Sequence, residues 1–343
     1  MKSTPRSNPL HLGRRNFFRS LTIKLVFLAA ATSALFTGCK GDDSSKKTGA
    51  GDSEKRKIAI VISTLNNPWF GVLADTAKTR CNELGYEATV FDSANDPSKE
   101  AANFDNLISG KFSAVLFNCT DADGSIANVK RAKAAGIPVF CMDREINSND
   151  AATSQVLSDS YSGCITLGKY FIKRVGEKGK YVELLGIVGD NNTKSRSQGF
   201  HSVVDKYTGL QMVAQQSANF DRAKAMEVME SILQANGDIN AVFCGNDAMA
   251  MGAYQALKAA GKSDKVLVFG FDGADDVVKA IADGNIAATM MQYPKVMART
   301  CAESADKYIK GERTFPQKTP VAVDLVNKET VEKFADHGRK DAK

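Results

Sequence analysis

From Lys57 onward, short apolar segments alternate regularly with longer segments that have the period of an amphipathic helix. This alternation predicts strands and helices in turn along the chain. The predicted strands are residues 57–63, 87–92, 113–118, 137–142, 180–188, 211–215, 240–244, 265–271 and 287–292. The predicted helices include residues 69–84, 125–135, 223–235 and 248–260, and several end at a glycine. Because the strands are apolar on both faces, helices must cover both sides of a parallel sheet. The pattern predicts an α/β fold of the doubly wound type.

The first 38 residues do not follow this pattern. They contain six basic residues and no acidic residue, and an apolar run at 25–36 ends just before Thr37, Gly38 and Cys39. The run is far shorter than the roughly 20 residues that a membrane-spanning helix needs. We therefore interpret residues 1–38 as a cleaved signal peptide of an exported protein.

Two short motifs refine this interpretation. Residues 14–19 resemble a twin-arginine export signal, and residues 35–39 resemble a lipoprotein cleavage site that precedes a lipidated Cys39. The alternatives are the general secretory route and an ordinary cleavage site in which Cys39 has no special role. Residues 39–56 are small, polar and charged, which predicts a flexible tether after the lipidated cysteine. We expect the protein in the periplasm or cell envelope, anchored to a membrane by lipid.

Removal of the signal peptide changes the charge of the chain. Its 343 residues become 305, enough for two α/β lobes, and its 45 basic residues become 39, equal to the 39 acidic residues. A neutral chain lacks the surplus of lysine and arginine that binding to a phosphate backbone requires. Nucleic acid is therefore not the predicted partner.

The cysteines and histidines give no sign of a disulfide framework or a metal site. Six cysteines follow Cys39 without a CxxC pair, and several lie in apolar runs, so we predict buried free thiols rather than bridges. Only His201 and His337 remain after cleavage, and neither has a partner at ligand spacing. We expect neither a metal nor a cofactor.

Polar residues follow most of the predicted strands at the point where each strand ends. In open α/β sheets, ligands bind beyond the carboxyl ends of the strands, so these side chains are predicted to form one polar ring at that edge. The ring consists of Ser63, Asn66, Asn67, Asn118, Asp143, Arg144, Asn246, Asp247, Asp272 and Gln292, to which we add Arg196.

The chemistry of this ring matches a sugar. Carboxylates accept hydrogen bonds, guanidinium groups donate them and amides do both, which suits a ligand rich in hydroxyl groups. Two carboxylates, at Asp143 and Asp272, balance the guanidinium groups of Arg144 and Arg196, which disfavours an anionic ligand. Aromatic faces for the apolar side of a sugar ring are offered by Trp69, Phe70 and Phe220. The ring therefore predicts a neutral monosaccharide.

Each residue taken alone also has a simpler explanation. Asn246 or Asp247 can cap the helix that follows, Asp143 and Arg144 can form a surface salt bridge, and Trp69 can belong to the core. The prediction depends on many such residues ending parallel strands together.

Residues 57–326 resemble the periplasmic sugar-binding proteins of the ribose type, members of the type I periplasmic binding protein family. The matching stretches are STLNNPWF (63–70), NCTDADG (118–124), MDRE (142–145), SRSQGF (195–200), ANFDR (218–222), GNDAMAMGA (245–253), GFDG (270–273) and MQYP (291–294). The resemblance implies two lobes joined by a three-strand hinge, with the sugar bound as the lobes close. The first lobe would comprise residues 57–157 with 293–320, and the second would comprise 158–292 with 321–343.

The resemblance also implies which residues bind the ligand. The first lobe would supply Ser63, Asn67, Trp69, Phe70, Asn118, Asp143 and Arg144. The second would supply Arg196, Phe220, Asn246, Phe271 and Asp272, with Gln292 near the hinge. Trp69 departs from the phenylalanine that is usual in ribose binders. Ribose is the favoured ligand, and allose, a furanose form of another sugar, a pentitol and autoinducer-2 are the alternatives.

The family resemblance further implies a monomeric receptor that delivers its sugar to the membrane permease of an ABC-type importer. A chemoreceptor or a sensor kinase is an additional candidate partner. A LacI-type regulator would need an N-terminal helix-turn-helix of about sixty residues, a position occupied here by the signal peptide and tether. An enzyme is disfavoured because the ring lacks a histidine for acid–base work and the chain lacks a GxSxG motif and a P-loop.

Overall fold

The computed structural model of the protein describes residues 55–334. The predicted signal peptide, the lipidation at Cys39 and most of the predicted tether lie outside the described residues, as do residues 335–343. Within the described residues, twelve strands alternate with α-helices.

The strands are β1 (Lys57–Ile62), β2 (Glu87–Asp92), β3 (Ala114–Phe117), β4 (Val139–Met142), β5 (Ser154–Ser158), β6 (Lys178–Leu185), β7 (Gly209–Ser217), β8 (Ala241–Cys244), β9 (Leu267–Phe269), β10 (Ala288–Met291), β11 (Lys318–Val321) and β12 (Asp324–Asn327). The helices are α1 (Pro68–Glu83), α2 (Pro97–Ser109), α3 (Ile126–Ala134), α4 (Ser160–Val175), α5 (Asn191–Val204), α6 (Arg222–Ala235), α7 (Asp247–Ala259), α8 (Asp275–Ala282) and α9 (Pro294–Ile309). A short 3-10 helix, Val331–Phe334, follows β12.

The strands form two sheets of six strands each. The first sheet has the order β11-β5-β4-β3-β1-β2, and all of its strand pairs are parallel. The second has the order β12-β10-β9-β8-β6-β7 and is parallel except at its edge, where β12 pairs antiparallel with β10. We refer to each sheet with its packed helices as the first and the second lobe. This architecture confirms the predicted α/β fold with two doubly wound lobes.

The chain passes between the two sheets three times within the described residues. It leaves the first sheet after β5, returns after β10, and leaves it again between β11 and β12. Helix α4 follows the first passage and packs against α5 and β10, whereas α9 follows the second and packs against α1 and β4. Because every passage lies at the same side of the sheets, the strand ends of the two lobes face each other.

Both faces of each sheet are buried. In β1, Ile58 and Ile60 pack into one apolar cluster with Trp69 of α1, while Ala59 and Val61 pack into another on the opposite face. Successive side chains of a strand point to opposite faces, so an unbroken apolar run fills two cores at once. The nine predicted strands are present, with ends that differ by a few residues. The six cysteines of the described residues are free and buried, which confirms the prediction of core thiols.

Strands β5, β11 and β12 were not among the predicted strands. They are four or five residues long and mix polar with apolar side chains, and β11 contains Pro320. Each lies at or near a passage between the sheets, and β11 pairs with β5 across 163 positions of the sequence. The antiparallel β12 is likewise a departure from a purely parallel sheet.

Candidate functional site

A cleft lies between the two lobes at the carboxyl ends of their strands and contains about 280 Å³ of empty space. Its lining residues are Asn67, Trp69, Phe70, Asp143, Arg144, Asp190, Asn192, Arg196, Phe220, Asn246, Asp272 and Gln292. Ten of the thirteen residues predicted to bind the ligand are in this set. A wider opening of about 990 Å³ at the rim of the cleft is lined in part by Thr64, Asn95, Asn219 and Asp276.

The other three predicted residues lie behind the lining. The hydroxyl of Ser63 donates to Oδ1 of Asn118 at 2.6 Å, and Nδ2 of Asn118 donates to Oδ2 of Asp143 at 3.2 Å. The ring of Phe271 lies 3.9 Å from the guanidinium carbon of Arg196. In this structure Ser63, Asn118 and Phe271 therefore position groups that line the cleft.

Asp143 follows β4 and has a left-handed backbone, with φ of 68°. This conformation is uncommon for a residue other than glycine and is enriched at functional sites. Burial raises the pKa of its carboxyl to about 7, against the opposing effect of Arg196 and Arg144. Its Oδ1 atom is buried and has no hydrogen-bond partner among the described residues.

Arg144, the next residue, is almost fully buried and is held on three sides. Its Nη1 donates to the carbonyl of Cys119 at 3.1 Å, and its Nε lies 2.8 Å from Oδ2 of Asp190 in the second lobe. Its guanidinium carbon lies 5.1 Å from the centre of the Phe70 ring and 5.9 Å from that of Phe220. Arg144 therefore contacts both walls of the cleft.

Arg196 and Asp272 form the charged part of the second wall. Nη1 of Arg196 donates to the carbonyl of Gly245 at 2.8 Å and lies 3.4 Å from Oδ1 of Asp272. Gln292 donates from Nε2 to the same carboxylate oxygen at 2.7 Å. Burial raises the pKa of Asp272 to about 7; Arg196 opposes this shift and the nearby Asp247 adds to it. Asp272 also has a positive φ, 133°, so the backbone is strained here as at Asp143.

The amides at two helix starts serve as caps while lining the cleft. Oδ1 of Asn67 accepts from the N–H of Trp69 at 3.0 Å, and Oδ1 of Asn246 accepts from the N–H of Met249 at 2.9 Å. Each cap uses one side-chain oxygen, and the Nδ2 of Asn246 reaches only the carbonyl of Phe220, at 3.4 Å. Capping and a role at the cleft are therefore compatible for both residues.

Aromatic rings stand on both walls. Trp69 and Phe70 of the first lobe are buried and meet edge to face, with ring centres 5.5 Å apart. Phe220 of the second lobe has a left-handed backbone, with φ of 59°, and its ring fills the space above Gly186. A Cβ at position 186 would lie 2.0 Å from that ring, so glycine is required there for Phe220 to take its place.

Asp190 and Asn192 line the cleft and were missed by the sequence prediction. They follow the predicted strand 180–188, so the signal that identified the other residues was also present here. Asp190 caps α5, accepting from the N–H of Asn192 at 2.8 Å. Nδ2 of Asn192 donates to the carbonyl of Asp143 at 3.3 Å, across the cleft.

The same short segment fastens the two lobes together at the surface. Nδ2 of Asn191 donates to Oδ1 of Asn147 in the first lobe at 2.6 Å. With the contacts made by Asp190 and Asn192, this hydrogen bond shows the cleft in a closed state.

Residues 55–334 contain no group of three or more His, Cys, Asp and Glu side chains placed to hold a metal ion. In the same part of the chain, no helix has both the length and the apolar character needed to cross a membrane.

Comparison with known proteins assigns this architecture to a family. A family model described as a periplasmic binding protein domain matches residues 58–313. The chain therefore belongs to the periplasmic binding protein family, which confirms the resemblance to periplasmic sugar-binding proteins and supports export to the periplasm.

Individual relatives match most of the chain. It is 42% identical over 304 residues to the D-apiose import binding protein of Paraburkholderia graminis, covering 88% of this chain and 94% of that protein. It is also 42% identical over 275 residues to the ribose import binding protein of Escherichia coli, covering 80% and 92%. A solved ABC transporter solute-binding protein from Bacillus halodurans, with bound myo-inositol, superimposes with a TM-score of 0.79 at 29% identity, covering 84% of this chain and all of that one.

Proposed function

We propose that the protein is the substrate-binding component of an ABC-type sugar importer and that it closes around a neutral five-carbon sugar, D-ribose or D-apiose. The observation that carries the proposal is a set of buried polar atoms on the cleft-lining side chains that have no partner among the described residues. Oδ1 of Asp143 and Oε1 of Gln292 are acceptors, and Nε of Arg196 and Nε1 of Trp69 are donors. Buried polar groups are normally paired, and a ligand that both donates and accepts would pair these.

The charge of the cleft supports a neutral ligand. The arginines are already paired with carboxylates, Arg144 with Asp190 and Arg196 with Asp272. An anionic sugar would have to displace one of these buried pairs, which leaves a carboxylate without its partner and is costly. Hydroxyl groups can instead bind at the edges of the pairs without breaking them.

The choice between ribose and other sugars rests on the relatives. The protein matches a ribose import binding protein and D-apiose import binding proteins at the same identity, 42%. Ribose and apiose are both neutral five-carbon aldoses, and apiose is branched. The solved complexes with myo-inositol, D-allose and L-arabinofuranose match at lower identity, 29%, 29% and 26%. A tryptophan at position 69 has a larger ring than the phenylalanine usual in ribose binders, and a cleft narrowed by it would favour the smaller sugars.

We propose that binding works by closure of the two lobes about the three passages, with residues 57–157 and 293–320 in one lobe and 158–292 with 321–343 in the other. The sugar would lie between the aromatic rings of Trp69 and Phe70 on one wall and Phe220 on the other. Closure would then present the surfaces of both lobes together to a membrane permease. Recognition of the same closed form by a chemoreceptor or sensor kinase is a further proposal for this surface.

A thermal-shift and calorimetric screen tests the ligand. D-ribose, D-apiose, D-allose, ribitol and autoinducer-2 would each be added to the domain that begins at residue 55. A Kd near 1 μM corresponds to about 8 kcal/mol, and millimolar ligand would then stabilise the fold by about 4 kcal/mol. We expect the largest shift with D-ribose or D-apiose and recovery of the sugar unchanged after incubation. A protein that none of these compounds stabilises would contradict the proposal.

The anchor is tested separately. We propose that the chain is cut before Cys39 and that Cys39 carries the lipid. Cys39→Ser is expected to move the protein from the membrane fraction to the soluble periplasmic fraction. Unchanged membrane fractionation of Cys39→Ser would exclude lipid attachment at this residue.

A further inference from the structure

The cleft contains a third carboxylate, that of Asp190, in addition to the two acids, Asp143 and Asp272, whose charges balance the two arginines. The side chain of Asp190 is 3% exposed, and it lines the cleft at the start of α5. Its Oδ1 accepts from the N–H of Asn192 at 2.8 Å, which caps the helix, and its Oδ2 lies 2.8 Å from Nε of Arg144. One carboxylate thus caps a helix of the second lobe and pairs with an arginine of the first.

This pairing changes what Arg144 can offer a ligand. Its Nε forms an ion pair with Oδ2 of Asp190 at 2.8 Å, without hydrogen-bond geometry, and its Nη1 donates to the carbonyl of Cys119 at 3.1 Å. Two of its three nitrogens therefore already have protein partners. The face of the guanidinium lies against the Phe70 ring. What remains is an edge that can donate to a neutral oxygen, next to a buried negative charge that would repel an anion.

The total charge of the cleft also disfavours an anionic ligand. Asp143, Asp190 and Asp272 line it together with Arg144 and Arg196, so the ionised cleft carries one negative charge in excess. Replacing Asp190 by a neutral residue would balance this count and leave Arg144 without its carboxylate partner. A freed guanidinium with two parallel donors is the group that binds carboxylates and phosphates best.

We propose that Asp190 is a specificity-determining residue that occupies Arg144 and thereby makes the cleft reject anionic sugars such as sugar acids. The inference rests on the proposed function, since it concerns which sugars the same cleft admits. Asp190 also holds the lobes together through this pair, so it contributes to the affinity for neutral sugars as well as to the choice between neutral and anionic ones.

Two variants remove the charge while keeping the helix cap. Asp190→Asn preserves the shape of the side chain. Asp190→Ser also removes the charge and is used if Asp190→Asn does not fold. Both asparagine and serine are good N-caps. The control is Asn191→Ala, which removes the hydrogen bond between Asn191 and Asn147 across the lobes but changes no charge and lies outside the cleft lining. Melting curves would establish that each variant is folded.

The measurement is calorimetry at pH 7.5 with two probes, the tighter binder of D-ribose and D-apiose and the sugar acid D-ribonate. For Asp190→Asn, we expect the affinity for the neutral sugar to fall about tenfold or more, because a contact between the lobes is lost. The ratio of the ribonate Kd to the neutral-sugar Kd should fall by at least about tenfold, since an uncompensated Arg144 now attracts the carboxylate. Asn191→Ala should weaken both probes alike and leave this ratio as in the wild type.

The outcomes separate the two proposals. If the wild type binds the neutral sugar and the ratio stays unchanged in folded Asp190→Asn and Asp190→Ser, Asp190 is a structural contact only and the inference is overturned, while the proposed function stands. If Asn191→Ala shifts the ratio as much as the Asp190 variants do, closure rather than charge sets the selectivity, which also overturns it. A wild type that binds no neutral sugar overturns the proposed function and the inference together.

Discussion

Two groups of charged residues in this protein use their polar atoms in opposite ways. In the outer cluster, which we define as Glu183, His201, Asp205 and Gln215, both ring nitrogens of His201 meet carboxylates, Nε2 with Glu183 at 2.9 Å and Nδ1 with Asp205 at 2.7 Å. Nε2 of Gln215 also donates to Glu183, at 2.6 Å. In the cleft, several lining side chains, such as Asp143, keep buried atoms without partners among the described residues, whereas in the outer cluster Oε1 of Glu183 alone does so.

The pKa values of both groups are raised, but the effect on the charged form follows the same division. Hydrogen bonds to Glu183 and then Asp205, acting against burial, raise the pKa of His201 to about 9, so the charged form is favoured and the cluster stabilises the fold. Burial raises the pKa of Asp143 and Asp272 to about 7, so in the cleft the charged form is disfavoured. A group of residues whose polar atoms are mostly paired with each other contributes stability. A group that keeps several polar atoms unpaired, at a cost to stability, is suited to binding a ligand.

The largest effect is expected from removal of an arginine of the cleft. Arg196→Ala deletes a partner of Asp272 and a donor to the ligand, and breaking a buried pair costs about 3 to 5 kcal/mol. We expect sugar affinity to fall at least about a hundredfold by calorimetry. The matched control is Arg174→Ala, which removes an arginine that lies over Tyr170 in the same lobe but outside the cleft. If the two substitutions lowered sugar affinity equally, Arg196 would have no special role in binding and the comparison between the cleft and the rest of the lobe would fail.

A smaller effect, with opposite signs for binding and stability, is expected at Asp143. Its pKa is raised in the folded state, so its ionisation destabilises the ligand-free protein; the penalty develops as the pH rises from about 4 to about 7 and is complete above that. Asp143→Asn should therefore raise the free energy of unfolding at pH 8 by about 1 to 3 kcal/mol. The same variant should bind sugar about tenfold more weakly, because an acceptor that is buried and unpaired is lost.

The control for Asp143 is an acid whose pKa shifts the other way. At Asp306, burial acts to raise the pKa, but hydrogen bonds from Lys310 and Tyr86 together with the positive charges of Lys310 and Arg80 lower it, so its charged form is stabilising. Asp306→Asn should lower stability and leave sugar affinity unchanged. If Asp143→Asn instead lowers the melting temperature at pH 8, the charged carboxylate of Asp143 stabilises the fold, as the charged groups of the outer cluster do. The comparison between the two regions would then be wrong.

The outer cluster should also lose stability as the pH rises, but over a higher pH range, because here the charged form is the stabilising one. Because the folded pKa of His201 is raised from 6.5 to about 9, its contribution is fully present below pH 6.5 and is lost as the pH rises through 9. His201→Gln should cost about 1 to 2 kcal/mol at pH 6, a figure reduced for the exposure of Asp205, and nearly nothing at pH 10. Urea unfolding of both proteins at the two pH values measures this difference. A sugar affinity that changes with His201→Gln would link the cluster to the cleft.

Much of this arrangement could be predicted from the sequence, and the exceptions have physical causes. The long apolar strands and their polar ends locate the cleft, because the carboxyl ends of parallel strands must meet at one edge. Strand β5 and the edge strands β11 and β12 could not be predicted, since they are short and mix polar with apolar residues. Their pairing also spans up to 163 positions, as between β11 and β5. Local polarity also cannot tell which polar side chains point into the cleft. Ser63 and Asn118 end strands as Asp143 does, yet they hydrogen-bond to each other behind it.

The smallest effect is expected at Trp69, the residue that departs from the ribose pattern. Trp69 lines the cleft and is 4% exposed, and its Nε1 has no partner among the described residues. It also packs in the apolar cluster with Leu73 and Ile60, so it belongs to the cleft and the core at once. Trp69→Phe keeps an aromatic face and removes a ring, a change of apolar size that alters discrimination by about 1 to 3 kcal/mol at most. We expect the change in affinity for the best five-carbon sugar to lie at the low end of this range, below about tenfold.

The test of Trp69 is a titration of the wild type, Trp69→Phe and Trp69→Ala with D-ribose, D-apiose and D-allose. Trp69→Ala should be weaker than Trp69→Phe for every sugar, because the stacking face is lost together with the volume. If Trp69→Phe binds ribose or allose more tightly and apiose more weakly than the wild type does, the tryptophan selects sugars by size. The natural ligand is then the sugar that the wild type binds most tightly. If both variants bind all three sugars as the wild type does while Trp69→Ala loses stability, Trp69 acts in the core alone. Selectivity would then come from the charged groups of the cleft, which the Arg196, Asp143 and Asp190 variants measure directly.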